Sequence, residues 1–280
     1  MSVKSYGAFF ILLLTACMTS QKDTGYYKVR PSISNDSVNK VRSYIFSIDN
    51  DNFRPLQYTG PDGTVNYRLL TPATVNKGER YPLVLVLHSS GKPIGTDNIS
   101  QLGILVKLWA QPGIRKNYPA YVVAPQFARR SSNYVLDPVR HVLASAPDPC
   151  LSTALQLVDS LTRTLPIDTA RVYVMGFSMG GSSAINSLEL RPHLFAACIS
   201  ISGIPGFRQI ETISQVPVWL VHGNADTENP FSSDSLLYKE LRSVHGRHVR
   251  FWEVDKLDHA VYPGLYSGDL IPQWLFKQKK

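Results

Sequence analysis

The sequence predicts a single α/β domain with a mostly parallel central sheet and helices on both faces. Short apolar runs recur along the chain and alternate with amphipathic helical patterns. Near-continuous apolar strands are typical of parallel sheets that are buried on both faces. A length of 280 residues with 44% apolar and 18% charged residues fits one large folded domain and excludes wholesale disorder.

The strands are predicted from these apolar runs in chain order. The first run, at 65–70, follows the turn signal Pro61-Asp-Gly63. The later runs lie at 81–87, 121–124, 172–175, 195–201, 216–221 and 249–254. Helical patterns fall between or after them, at 151–161, 182–190, 233–241 and 269–276. The sequence has no internal repeat, so residues 51–280 are predicted to form one domain.

The first 16 residues have the pattern of a signal peptide. Lys4 precedes an apolar run at 6–14, which is too short to span a bilayer as a mature helix. Leu14-Thr-Ala-Cys17 resembles a bacterial lipobox, so we expect cleavage before Cys17 and lipid attachment to its thiol. The expected location is a bacterial membrane, on the periplasmic or cell-surface side. The alternative is a plain secretory signal in which Cys17 has no role.

Residues 17–50 are rich in Ser, Asn, Asp and Lys, and we expect them to form a polar tether after the lipidated cysteine. An exported protein can form a disulfide, and Cys150 and Cys198 could either pair or remain as two buried thiols. No metal-ligand spacing is present, so neither a metal nor a cofactor is predicted. The net charge of +8 comes from scattered basic residues, which argues against a nucleic-acid partner.

A serine lies between two glycines at the end of a predicted strand. Gly176-Phe-Ser-Met-Gly180 follows the run at 172–175 and precedes the helical pattern at 182–190. This is the G-x-S-x-G pattern of a sharp strand-to-helix turn, in which the serine is held in a strained conformation. An ordinary glycine-rich turn would show the same five residues. The pattern makes Ser178 a candidate nucleophile.

A serine nucleophile needs a base and an acid, which should follow other strands at the carboxyl edge of the sheet. His259 follows the last predicted strand, and Asp226 follows the strand at 216–221. The order Ser178, Asp226, His259 is the nucleophile–acid–base order of the α/β-hydrolase fold. Asp255 and Asp258 are competing carboxylates, which we expect to cap the loop instead.

Two backbone N–H groups are expected to bind the developing oxyanion. One belongs to Met179, which follows the candidate nucleophile, and the other to Ser90, in the turn after the strand at 81–87. Ser89 is the alternative to Ser90. Trp109, Phe127 and Tyr134 lie between strands, where they either shape a pocket or pack in the core.

These segments together resemble a family of exported α/β-hydrolases. The resemblance rests on 81–88, 95–98, 118–126, Gly176–Gly181, His222-Gly-Asn-Ala-Asp226 and Asp258-His259, in that order. The family comprises predicted peptidases, phospholipase/carboxylesterases and dienelactone hydrolase-like proteins, and it is similar to feruloyl and acetyl-xylan esterases. It implies Ser178 as nucleophile, Asp226 as acid and His259 as base. The sequence departs from the family at Ser89, where glycine is usual, and at 91–95.

The resemblance and the motif together predict a serine hydrolase that cleaves carboxylic esters through an acyl-enzyme. The expected substrates are small-molecule or polysaccharide esters, and the expected membrane contact is the lipid at Cys17. A serine peptidase with the same three residues is one alternative. A second is a hydrolase scaffold that binds glycans without turnover, for which Ser89 is the single supporting feature.

Overall fold

The computed structural model describes residues 18–20, 25–244, 246 and 248–280. The predicted signal peptide and Cys17 lie outside these residues. The strands are β1 Met18–Ser20, β2 Tyr26–Val29, β3 Arg54–Gly60, β4 Gly63–Leu70, β5 Tyr81–Leu87, β6 Tyr121–Gln126, β7 Ser132–Leu136, β8 Leu143–Pro147, β9 Ile167–Phe177, β10 Ala197–Ile201, β11 Val218–Gly223 and β12 Val249–Val254. The helices are α1 Asn35–Ser47, α2 Ile104–Lys107, α3 Pro112–Asn117, α4 Pro149–Thr164, α5 Met179–Leu190, α6 Ile210–Ile213, α7 Phe231–Ser243 and α8 Leu270–Leu275.

One large sheet organises the described chain. Its strand order is β1-β2-β12-β11-β10-β9-β5-β6-β4-β3, and β7 and β8 form a separate hairpin. The strands from β2 to β6 in this order are parallel, whereas β1, β4 and β3 form the antiparallel pairs at the two edges. The predicted α/β fold with a mostly parallel sheet is therefore confirmed.

The apolar strands supply both faces of the sheet. In β5, Leu83, Leu85 and Leu87 pack into the core on one face, whereas Val84 and Val86 pack into the core on the other. The first core is covered by α4, α5, α6 and α7, and the second by α1, α2, α3 and α8. Each fully buried side chain of this size contributes about 1.5–3 kcal/mol. A strand buried on both faces needs apolar residues at every position, which explains the uninterrupted run.

Part of the expected polar tether belongs to the folded domain. β2 pairs with β12, and α1 begins at a cap in which the Ser34 hydroxyl accepts a hydrogen bond from the Ser37 N–H. Ile45 of α1 is fully buried. The buried ammonium of Lys107 donates to the carbonyl oxygens of Phe46 and Ile48, where α1 ends. The folded region therefore begins before residue 51.

Several other side chains occupy definite places in this fold. Cys150 is half-buried and Cys198 is buried, and both are free thiols. Trp109 and Phe127 lie in the cores, and the Tyr134 hydroxyl lies 3.1 Å from the Ser182 hydroxyl. Among the described helices, none has both the length and the apolar composition needed to cross a membrane.

Candidate active site

Ser178 stands at the sharp turn between β9 and α5. Its backbone has φ 58° and ψ −122°, a strained conformation for a residue other than glycine. The flanking glycines make the turn possible, because a Cβ on Gly176 would lie 2.3 Å from the Gly180 carbonyl carbon. A Cβ on Gly180 would lie 2.0 Å from the carbonyl oxygen of Leu87 at the end of β5. The turn therefore packs directly against the end of β5.

The structure brings the three residues singled out in the sequence into one hydrogen-bonded row. His259 Nε2 lies 2.9 Å from Ser178 Oγ, and His259 Nδ1 lies 2.8 Å from Asp226 Oδ2. The Asp226 side chain is fully buried, and the His259 side chain is 8% exposed. A carboxylate on Nδ1 keeps the proton on that nitrogen, which leaves Nε2 free to accept the serine proton. This is the geometry of an activated serine.

Asp226 is oriented by the loop that follows β11. Its Oδ1 accepts hydrogen bonds from the backbone N–H groups of Glu228, at 3.0 Å, and Asn229, at 2.8 Å. Burial alone would raise the pKa of this carboxyl group, but hydrogen bonds from His222 and His259 outweigh that effect. The pKa of Asp226 is therefore held well below its usual range, and the group is ionised at neutral pH.

The loops that carry Asp226 and His259 are tied to each other. Asp258 Oδ1 accepts hydrogen bonds from the N–H and hydroxyl of Thr227 and from the N–H of His259. Asp255 accepts a weaker bond, at 3.3 Å, from the side chain of Asn224. Both competing carboxylates therefore join the loops, and the carboxylate that contacts His259 Nδ1 is Asp226 rather than either of them.

A second carboxylate does approach His259, from the solvent side. Glu228 Oε2 lies 3.7 Å from His259 Nε2, but the Glu228 side chain is 72% exposed. Water screens a charge in that position, and exposed pairs typically contribute less than about 1 kcal/mol. Asp226, buried and at 2.8 Å from Nδ1, is therefore the dominant partner of this imidazole.

The candidate oxyanion donors lie on both sides of the turn. Met179 is the first residue of α5, and the N–H groups of a first helical turn make no intrahelical hydrogen bond. Ser89 and Ser90 follow β5, whose end touches Gly180. His88 holds this segment: its Nε2 accepts from the Phe127 N–H at 2.9 Å, so Nδ1 carries the proton and donates to the Ser89 carbonyl oxygen at 2.7 Å. Burial lowers the pKa of His88 to about 4, which keeps it neutral.

A cavity of about 320 Å³ opens beside His259. Its walls are mainly apolar and come from Leu105, Val106, Phe177 and Val261, and Ser89 also lines it. Two residues of α1, Arg42 and Phe46, also line it. Cavities of about 440 and 770 Å³ lie elsewhere on the molecule, and none of the three aligned residues lines them. The cavity beside His259 is therefore the candidate substrate pocket.

Sequence reasoning missed two contributions to this site. His222 was not singled out as a site residue, but its Nε2 lies 3.3 Å from the same Asp226 oxygen that contacts His259. Its position four residues before Asp226 at the end of a strand was the available signal. Arg42 and Phe46 were missed because the segment at 17–50 is polar in composition.

The sequence also matches the profile of a known protein family. The sequence profile of the esterase family, whose description is "Putative esterase", matches residues 59–253. The chain belongs to this esterase family. The predicted resemblance to esterase-like α/β-hydrolases is thereby confirmed.

Relatives of this esterase-family chain match it over different lengths. "Putative esterase NocK" of Nocardia uniformis subsp. tsuyamanensis is 28% identical over 59% of the chain and 46% of its own length. "Bifunctional acetylxylan esterase/xylanase XynS20E" of Neocallimastix patriciarum is 35% identical over 25% of the chain and 11% of its own length. The crystal structure of a thermostable esterase superposes with a TM-score of 0.74 at 30% identity, over 82% of the chain and 64% of that structure. The chain therefore spans about half the length of NocK and under two thirds of the thermostable esterase.

Proposed function

We propose that this esterase-family chain is a serine hydrolase that cleaves carboxylic esters through an acyl-enzyme. The observation that carries the proposal is the placement of the His259 ring between Ser178 Oγ, at 2.9 Å, and the buried carboxylate of Asp226, at 2.8 Å. A buried carboxylate, an imidazole and a serine hydroxyl in this order support nucleophilic acyl transfer. Membership of the esterase family supports the ester as the bond that is attacked.

In the proposed first half-reaction, Ser178 Oγ attacks the ester carbonyl carbon. His259 Nε2 takes the hydroxyl proton as the bond forms, and Asp226 stabilises the resulting imidazolium. The carbonyl oxygen becomes an oxyanion, which the N–H groups of Met179 and Ser90 are proposed to bind. When the tetrahedral intermediate collapses, the carbon–oxygen bond to the alcohol breaks and His259 returns the proton to the leaving alcohol.

The second half-reaction releases the acid. His259 removes a proton from water, and the hydroxide attacks the acyl carbon of the ester formed on Ser178. The same oxyanion donors act again. Collapse of this intermediate breaks the bond to Ser178 Oγ, which regains its proton from His259, so the enzyme returns to its starting state.

The volume and the lining of the pocket favour esters in which one part is small and apolar. The cavity of about 320 Å³ beside His259 holds a short acyl or aromatic group, and its walls are mainly apolar. One relative is named as an acetylxylan esterase, which supports a carbohydrate as the alcohol part. We therefore propose small acyl esters of saccharides as the substrate class.

The proposed location is a bacterial membrane, on the periplasmic or cell-surface side. Leu14-Thr-Ala-Cys17 after the apolar run at 6–14 supports lipid attachment at Cys17. Mass spectrometry of the protein purified from membranes tests this directly. A lipid-modified amino-terminal Cys17 is the expected result, and an unmodified chain beginning elsewhere would contradict it.

A fluorophosphonate probe tests the activated serine. We expect rapid labelling of the protein, complete loss of labelling in Ser178→Ala, and unchanged labelling in Ser160→Ala, which alters a serine on α4. Absence of labelling in a well-folded protein would contradict the proposal and favour the glycan-binding scaffold.

A substrate panel tests the bond that is cleaved. We expect p-nitrophenyl acetate and acetylated xylo-oligosaccharides to be hydrolysed, with peptide p-nitroanilides nearly untouched. The reverse preference, with Ser178 still labelled, would show a peptidase and overturn the ester assignment.

A further inference from the structure

His222 lies one residue before the end of β11 and is completely buried. Its Nδ1 is 2.8 Å from Asp234 Oδ2. Its Nε2 is 3.0 Å from the carbonyl oxygen of Asn229 and 3.3 Å from Asp226 Oδ2. The carbonyl oxygen of Asn229 accepts only, so Nε2 carries a proton, and Nδ1 carries one as well when Asp234 is ionised. These contacts fit an imidazolium that is paired with the Asp234 carboxylate.

The buried charges around His222 support this protonation. Burial alone would lower the pKa of His222, but the carboxylates of Asp226 and Asp234 outweigh it and raise the pKa to about 10. Burial also raises the pKa of Asp234, which is fully enclosed. The hydrogen bond and the positive charge of His222 lower the pKa of Asp234 and so oppose the effect of burial. We take the proton to reside on His222.

Asp226 Oδ2 is thereby shared between two histidines. His259 contacts it from the side of Ser178, and His222 contacts it from the interior. A positive charge on His222 offsets part of the negative charge that Asp226 presents to His259.

We propose that His222, held as an imidazolium by Asp234, is a positioning residue that fixes the Asp226 carboxylate against His259. The row of side chains then runs Ser178, His259, Asp226, His222 and Asp234, and its inner half is a charged pair sealed in the core. The proposal rests on the proposed ester hydrolysis, in which His259 must be neutral to accept the serine proton.

Other charged or titratable groups face this row from each neighbouring element. The Cys198 thiol of β10 interacts electrostatically with Asp234, and burial together with that negative charge raises the pKa of the thiol. Glu228 approaches His259 from solvent, and Asp258 lies in the field of Asp226 on the adjoining loop. Each of these groups remains in place when His222 is replaced, whereas Asp234 loses its cationic partner, so a difference between variant and wild type reports the loss of the His222–Asp234 pair.

The first experiment is NMR of the imidazole nitrogens in ¹⁵N-histidine-labelled protein at pH 8. We expect His222 to carry protons on both nitrogens. His88 is the internal reference, because its Nε2 accepts a hydrogen bond and should appear unprotonated in the same spectrum. A His222 ring with one bare nitrogen at pH 8 would overturn the proposal without any variant.

The second experiment compares His222→Gln with wild type. Because His222 touches the Asp226 carboxylate and does not line the pocket beside His259, its replacement should lower kcat roughly tenfold and leave KM for p-nitrophenyl acetate unchanged. The control is His193→Gln, which alters an exposed histidine and should leave both constants unchanged.

The two readouts separate this proposal from the proposed function. A doubly protonated His222 in a protein that cleaves no ester would contradict ester hydrolysis while supporting the His222–Asp234 pair. An unchanged kcat in folded His222→Gln would overturn the positioning role of His222. If His222→Gln does not fold, the protonation state measured in wild type decides alone.

Discussion

Replacing Asp226 with Asn tests whether the whole row of side chains depends on this carboxylate. Oδ1 accepts from the N–H groups of Glu228 and Asn229, and Oδ2 contacts His259 Nδ1 and His222 Nε2. Every approach to the carboxylate is therefore made by a donor. An amide placed in either orientation turns its NH₂ group against two donors, so one pair of hydrogen bonds is always lost.

The loss propagates to the serine. If the amide nitrogen faces His259, Nδ1 must become an acceptor and the proton moves to Nε2, which can then no longer accept from Ser178 Oγ. A triad held in the wrong tautomer loses roughly 10⁴ in kcat, which corresponds to about 5.5 kcal/mol of transition-state stabilisation. We expect Asp226→Asn to lose about 10³–10⁴ in kcat/KM for p-nitrophenyl acetate.

The matched control is Asp255→Asn, which alters a carboxylate on the neighbouring loop that accepts only a long bond from Asn224. It should retain activity within about twofold, because an exposed bond of this kind contributes little. Both proteins should be checked by circular dichroism before assay. A folded Asp226→Asn variant that keeps more than a tenth of wild-type kcat/KM would refute the assignment of Asp226 as the acid.

Three further outcomes are expected. Gly180→Ala should lower the free energy of unfolding in urea by about 2–4 kcal/mol and abolish labelling by the fluorophosphonate probe, because the added Cβ would meet the end of β5. The control is Gly113→Ala, where no atom lies within 4 Å of the added Cβ, so the change should be neutral or slightly stabilising. Equal stabilities of the two variants would contradict this. Glu228→Gln should change kcat/KM less than about threefold, because the carboxylate near His259 is 72% exposed, and a loss above thirtyfold would show a direct role. Burial raises the pKa of Cys150 to about 12, so at pH 8 its thiol is protonated and unreactive. In a Cys17→Ser protein, Cys150 should therefore resist Ellman's reagent at pH 8 until urea is added. Immediate reaction would contradict the burial of this thiol.

The sequence was most informative where one residue type had no substitute. Ser178 between Gly176 and Gly180 could be predicted because each glycine is required by backbone contacts closer than a Cβ allows. The uninterrupted apolar run of β5 indicated a strand buried on both faces, and it appears at 81–87 as expected. Steric exclusion of a Cβ and burial on both faces of a sheet can therefore be predicted from the residue types in the sequence.

Contacts between distant polar residues left no such mark. Asp234 was not singled out, because one carboxylate on α7 resembles any solvated acid until β11 brings His222 to 2.8 Å from it. α1 was missed for a related reason. Its composition is polar, and it is held by the fully buried Ile45 and by Lys107 from a later helix, neither of which alters the local pattern. Pairing of this kind is a property of the fold rather than of a segment.

The pairing of β2 with β12 has a consequence for how the chain folds. An uncovered strand edge is a template for pairing with another molecule, and β2 covers the edge that β12 would otherwise present. Tyr26–Val29 and β12 lie far apart in the sequence, and contacts of this kind are slow to form. While β2 is unpaired, β12 presents an edge at which one molecule could recruit a second. The pairing of β2 therefore protects this edge against aggregation once it has formed.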